Sequence, residues 1–150
     1  MKTCKISYLF ALFLVLSFVN FGCQTQKAPE TPVKDGVLVH ISHGPEDPHR
    51  LLMGLQMALM MAQTHDVLVY FDIKAVEAVL KDAPDVSFSH FPSSRILLIN
   101  LIDTGVTLYV CPGCLKAAGK TAADLMDGLK IAEKEEFFNF TKGRILTLDY

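Results

Sequence analysis

From residue 36 onward, short apolar blocks alternate with longer amphipathic ones. Residues 36–42, GVLVHIS, are a β-branched apolar run bounded by Asp35 on one side and His43-Gly44-Pro45 on the other, which predicts a buried strand. Residues 50–64, RLLMGLQMALMMAQT, predict a strongly apolar helix, with Asp47 as N-cap and Pro48 as its first residue. A second strand follows at 66–73 (DVLVYFDI), then a short amphipathic helix at 74–81 and an irregular stretch with two prolines at 82–92. A helix at 93–103 ends at Thr104-Gly105, and a third strand at 106–110 (VTLYV) runs straight into Cys111-Pro112-Gly113-Cys114. Residues 121–135 predict a helix with Thr121 and Asp124 at its start, and 144–148 (RILTL) a last strand. The strands are continuously apolar rather than alternating, so both sheet faces are covered. The pattern therefore predicts an α/β fold: a doubly wound, mainly parallel sheet of about five strands with helices on both faces and right-handed crossovers. Sites in such sheets lie at the carboxyl ends of the strands. Two loops with reactive side chains occupy that place, 43–49 and 111–114.

The first 35 residues follow other rules. Lys2 and Lys5 precede an uncharged run, ISYLFALFLVLSFVNFG, at residues 6–22, and Cys23 and a polar stretch, QTQKAPETPVKD, come after it. A basic start, an apolar core and a small residue before a cut form the pattern of an export signal. The Gly22-Cys23 junction resembles a lipobox, the processing site of bacterial lipoproteins, although Asn20 and Phe21 stand where Leu and a small residue are usual. The resemblance implies a signal peptide at 1–22, lipid on Cys23, a flexible tether at 23–35 and a folded domain at 36–150. The protein would then sit in the cell envelope, lipid-anchored to a bacterial membrane and facing the periplasm or the exterior. Two alternatives are an uncleaved anchor helix, since the uncharged stretch continues to Gln26 and a span needs about 20 residues, and plain secretion. Both also place the domain outside the cytoplasm.

Removal of 22 residues from 150 leaves 128, the size of one domain. The net charge of −2 is scattered, with no basic stripe, which removes electrostatic support for nucleic-acid binding. No glycine-rich phosphate loop or other cofactor motif is present, and no cofactor is expected. The chain has four cysteines. Cys4 leaves with the signal and Cys23 is taken by lipid, so Cys111 and Cys114 remain as the candidate catalytic residues. Their CxxC spacing serves a local disulfide, a pair of metal thiolates, or an attacking and a resolving thiol. A position after a strand and close to a helix N-terminus lowers a thiol pKa. His43 and His49 are pocket candidates and weak candidates to join Cys111 and Cys114 in a tetrahedral metal site. The plainer reading, which we favour, makes them polar loop residues and His40 an ordinary strand residue. Asp72, after the second strand, is a further pocket candidate or a helix cap. Met53, Met57, Met60 and Met61 form a stripe at helical spacing and read as core.

The segment VTLYVCPGCLKAAGKTAADLMDGLKIA resembles the signature of the DsrE/DsrF-like superfamily: a strand, a cysteine, a glycine a few residues on (Gly119), then a helix with Leu-x-x-Gly (Leu125 and Gly128). The order of elements from Val37 to Leu148 matches as well. The resemblance implies a flavodoxin-like fold, assembly into homo-oligomers (trimers or hexamers), and a sulfur-carrying cysteine that falls on Cys111 or Cys114. An arginine usual just before the glycine is replaced by Ala118. The expected function is thus a thiol-based sulfur-carrier or redox role. The alternatives are a binding module for a small molecule or protein partner, with a structural disulfide, and a zinc- or copper-binding protein.

Overall fold

A computed structural model describes residues 32–150; the export-signal reading at 1–22, with Cys4, and the lipid-attachment reading at Cys23 lie outside the described residues. Five strands, β1 (Gly36–Ile41), β2 (Asp66–Phe71), β3 (Thr107–Val110), β4 (Lys130–Ile131) and β5 (Ile145–Asp149), form one sheet in the order β4-β3-β2-β1-β5. Every pairing is parallel. Four helices join them: α1 (Pro48–Met61), α2 (Ser94–Asp103), α3 (Pro112–Ala117) and the one-turn α4 (Lys134–Phe137). Among the described residues no helix is long and apolar enough to cross a membrane.

The order of strands decides which face each connection covers. From β1 to β4 the chain steps across the sheet in one direction, so right-handed crossovers lay α1, α2 and α3 on a single face. There Val39, Val69 and Leu108 meet Leu51, Leu52 and Leu55 of α1, Leu97, Leu98 and Leu101 of α2, and Leu115 of α3 in one core. From β4 to β5 the chain returns across the whole sheet, and the same handedness carries it over the opposite face. Phe137 of α4 packs there, its ring centroid 5.0 Å from Tyr70 and 6.4 Å from Tyr109. Helices therefore cover both faces, but unequally. The connections after β3 and β4 leave toward opposite faces, and such a divergence opens a crevice at the carboxyl ends of the two strands. Cys111 begins at that point.

Asp47 and Pro48 start α1 as the pattern predicts; the Asp47 carboxylate accepts the Arg50 amide at 3.2 Å. Two expectations fail. Residues 121–135 are not a helix: the stretch is a 3-10 turn at Ala122–Asp124, the two-residue strand β4, and α4. The start signal is real, because the Asp124 carboxylate accepts the Thr121 amide at 2.7 Å. Leu125 then turns extended to bridge Leu80, and Gly128 adopts φ +93 with Ile102 against it. A Cβ at Gly128 would come within 2.9 Å of the Ile102 side chain, so the Leu-x-x-Gly motif forms a packed turn. The methionine stripe is also not core. Leu51, Leu52, Leu55 and Ala58 are fully buried, while Met53 and Met60 are exposed and only Met61 of the four packs partly on the core.

Candidate functional site

Cys111 follows β3 directly and is the N-cap of α3, with Pro112 in the first turn. Its amide donates to the Phe71 carbonyl at 2.9 Å, which fastens the motif to the end of β2. Its sulfur accepts the Cys114 amide at 3.4 Å. Both cysteines are free thiols. Burial works to raise the Cys111 pKa, but donors from the Tyr70 hydroxyl, the Cys114 amide and thiol, and the Gly113 amide prevail and hold it below the ordinary thiol value. Cys114 moves the other way. The Ile73 amide favours its thiolate, yet burial, the adjoining Cys111 sulfur and the Asp72 carboxylate together raise its pKa. Spacing leaves the choice between the two open; their surroundings favour the thiolate at Cys111 over Cys114. Tyr70 stays a phenol, because burial and then the Cys111 sulfur push its pKa far up.

The turn after β2 is strained in a way that serves this pair. Ile73 adopts φ +44, a left-handed conformation that a β-branched residue rarely takes. It is 63% exposed, so packing of its side chain does not compensate. The Ile73 amide lies near the Cys114 sulfur, where it favours the thiolate. Strain of this kind costs on the order of 1–3 kcal/mol. Replacement Ile73→Gly relieves it and adds chain entropy to the unfolded state, so a net gain in stability of about 1 kcal/mol or less is expected in urea unfolding. Any loss of stability would mean that the exposed side chain is held by contacts this geometry lacks.

Asp72 does not cap a helix, as the sequence favoured; Lys74 precedes the 3-10 turn Ala75–Val79 without a side-chain cap. The Asp72 carboxylate instead faces His40, with Oδ1 3.0 Å from Nε2. The other ring nitrogen, Nδ1, lies 2.9 Å from Asp149 Oδ1. His40 is thus a site residue that the sequence reading passed over as an ordinary strand position. Parallel register explains the meeting: His40 pairs with Tyr70 on one side and Asp149 on the other, so these side chains share a sheet face. The His40 and Tyr70 ring centroids are 5.8 Å apart.

The other two pocket candidates have different partners. His43 accepts from the Arg50 guanidinium at 3.1 Å through Nε2, and its Nδ1 contacts the Ser42 hydroxyl at 3.2 Å. His49 stacks on Phe88 at 4.8 Å and lies against Phe91 at 5.8 Å. Among the described residues no three His, Cys, Asp or Glu side chains gather in a geometry that would hold a metal, so Cys111, Cys114, His43 and His49 do not form the tetrahedral site considered from sequence. Ala118, in place of the usual arginine, is exposed at the end of α3, and Gly119 follows at φ +70, where the helix stops.

The fold has counterparts among solved structures. Two solved structures share the fold at a TM-score of 0.57: the ychN protein from E. coli, 20% identical over 78% of this chain and all of that one, and the protein MTH1491 of unknown function from Methanobacterium thermoautotrophicum, 17% identical over 77% and 99%. No curated protein matches the chain. The DsrE/DsrF-like family profile matches residues 35–146, which spans β1 to β4, the start of β5, the cysteine pair and the Leu-x-x-Gly turn. The chain belongs to the DsrE/DsrF-like family.

Proposed function

We propose that this is an exported, lipid-anchored DsrE-like domain that carries sulfur, or the electrons of a disulfide, through Cys111 and Cys114. One observation supports this above others: the surroundings shift the two thiols in opposite directions, as an attacking and a resolving thiol require. In the carrier step the Cys111 thiolate attacks the outer sulfur of a persulfide donor. The donor's S–S bond breaks, the donor leaves as a thiolate, and Cys111 becomes a persulfide. An acceptor thiolate then takes the outer sulfur and regenerates Cys111. Alternatively Cys114, once deprotonated, attacks the inner sulfur at Cys111, forming the Cys111–Cys114 disulfide and expelling hydrosulfide. A thiol reductant returns that disulfide to the dithiol.

Intact-mass analysis after exposure to a low-molecular-weight persulfide tests the reading. The expected result is a gain of one sulfur atom at Cys111. No gain, and a double Cys111→Ser/Cys114→Ser variant indistinguishable from the parent, would overturn it. Assembly into a small homo-oligomer belongs to the same proposal, supported by the exposed Ile145 and Leu146 on the edge strand β5. Attachment to the membrane through Cys23 rests on residues 1–23 of the sequence. Cys23→Ser is expected to move the protein from the membrane fraction to the soluble one; retention in the membrane fraction would favour an uncleaved anchor.

A further inference from the structure

His40 stands in a position that an apolar strand does not require. It lies on the face of β1 turned toward Tyr70, between two carboxylates from two neighbouring elements, Asp72 after β2 and Asp149 on β5. Its ring nitrogens approach them to 3.0 and 2.9 Å. A neutral imidazole can donate to Asp149 but sets no charge against Asp72, whereas the imidazolium places a positive charge against both. Asp72 needs that charge more than Asp149 does. Its Oδ1 is buried with no well-directed hydrogen bond, and the close approach of His40 Nε2 is an ion-pair contact off the hydrogen-bonding line. Among the described residues Asp72 makes its ion pair with His40 alone. Asp149 is more exposed and serves to hold the ring from the other side.

Asp72 also faces the chemistry. Its negative charge acts on Cys114 and on Tyr70, and Tyr70 is the donor that favours the Cys111 thiolate. The groups gathered around His40 are thus Asp72 and Tyr70 from β2, Asp149 from β5 and, through Asp72 and Tyr70, Cys111 and Cys114 from the start of α3. We infer that His40 is a positioning residue whose positive charge offsets the Asp72 carboxylate beside the cysteine pair and so eases ionisation of Cys114, the resolving thiol. This rests on the thiol role proposed above and adds to it a control by pH. Burial opposes protonation of His40, but Asp149 and Asp72 outweigh it and raise its pKa above the ordinary imidazole value. The ion pairs are therefore complete below that ordinary value. As pH rises through the raised one, the ring loses its charge and Asp72 is left bare beside the thiols. The stabilisation that the ion pairs give the fold is lost over the same range.

The test is the rate of iodoacetamide alkylation at Cys114 as a function of pH, read by peptide mass on the full chain in detergent. His40→Gln keeps size and polarity but removes the charge. The Cys114 profile is expected to shift to higher pH, with alkylation near neutrality slowed several-fold. Adding Asp72→Asn to His40→Gln removes the bare carboxylate and is expected to restore the parental profile. Asp149→Asn, which loosens the ring from its exposed side, is expected to give a smaller shift in the same direction. Superposition of the His40→Gln and parental profiles would overturn the inference. So would a double variant as slow as the single one, since that outcome marks a change in packing rather than in charge. Alkylation does not depend on sulfur transfer. A shifted profile in a protein that takes up no sulfur would retain His40's role and reject the carrier reading; normal uptake with an unshifted profile would do the reverse.

Discussion

Serine at Cys111 is expected to reduce sulfur uptake from a persulfide donor to background, while serine at Cys114 leaves uptake intact and traps the product. The asymmetry follows from what surrounds each sulfur. Cys111 receives the Cys114 amide at 3.4 Å and the Tyr70 hydroxyl, and its thiolate persists below the ordinary thiol range. Cys114 lacks the Tyr70 donor, and burial and the Asp72 carboxylate oppose its thiolate whether or not Cys111 is present, so it is a poor substitute as the attacking group. In Cys114→Ser the backbone amide at that position still faces Cys111 and the serine hydroxyl stands in for the thiol as a donor, so the first step proceeds. The second step does not. Without a resolving thiol no internal disulfide forms and no hydrosulfide is expelled, so the Cys111 persulfide accumulates. Intact mass and sulfide release, followed together, separate the two variants. The pH dependence has a defined sign: uptake is expected to rise at a pH below the ordinary thiol value of about 8.5, because the thiolate forms early. Uptake by Cys111→Ser but not by Cys114→Ser would reverse the roles.

The sequence reveals the pair but not this division of labour. Apolar blocks mark β1, β2 and β3, because strands covered on both faces carry continuous hydrophobic side chains; β5 is marked by its apolar residues too, although it lies largely exposed at the sheet edge. The strand β4 is two residues long, Lys130–Ile131, and leaves no such mark. Its absence from the pattern let the capping signal at Thr121 and Asp124 extend into a full helix, although Gly128 at φ +93 closes the segment as a turn. The methionine stripe misled for a related reason. Methionine and leucine have similar hydrophobicity, and periodicity alone does not say which of two adjacent apolar stripes on α1 faces the sheet. His40 is the larger omission. Its neighbours Tyr70, Asp72 and Asp149 are 30, 32 and 109 residues distant, and only the register of β1 with β2 and β5 brings them to one face. The sequence did hold a signal: a titratable residue in the fifth place of an otherwise apolar strand. That signal acquires meaning only once two carboxylates are known to flank it. Ile73 gave no signal at all, because its strain comes from the turn it is forced to make and not from its own preferences.

Alanine at Gly44, a change that looks mild in sequence, is expected to damage both the fold and the site. A Cβ there would lie 2.2 Å from the Lys74 carbonyl oxygen and 2.9 Å from its carbon. Both are backbone atoms, so no rotamer change relieves the overlap, and the loop after β1 must part from the turn after β2. The two are tied together on either side: the Lys74 amide donates to the Ser42 carbonyl at 3.1 Å, and the Asp72 amide donates to the Ile41 carbonyl at 3.1 Å. The Gly44 amide itself is held by the Glu46 carboxylate at 3.0 Å. Forced overpacking costs about 1–3 kcal/mol, and rigid backbone on both sides puts this case toward the upper end. In urea unfolding the midpoint should fall with little change in slope, since the native state remains compact. The functional consequence follows from what lies between the tied points. Asp72 and Ile73 occupy that turn, one charging the neighbourhood of Cys114 and the other holding its amide near the sulfur. Displacing the turn withdraws the amide, the only group there that favours the Cys114 thiolate over the opposing influences, so Cys114 should alkylate more slowly while Cys111, anchored to the Phe71 carbonyl upstream of the turn, changes less. An unaltered midpoint together with unaltered Cys114 reactivity would show that the two loops separate freely, and that the strained Ile73 conformation is maintained by the β2–α3 side of the site instead.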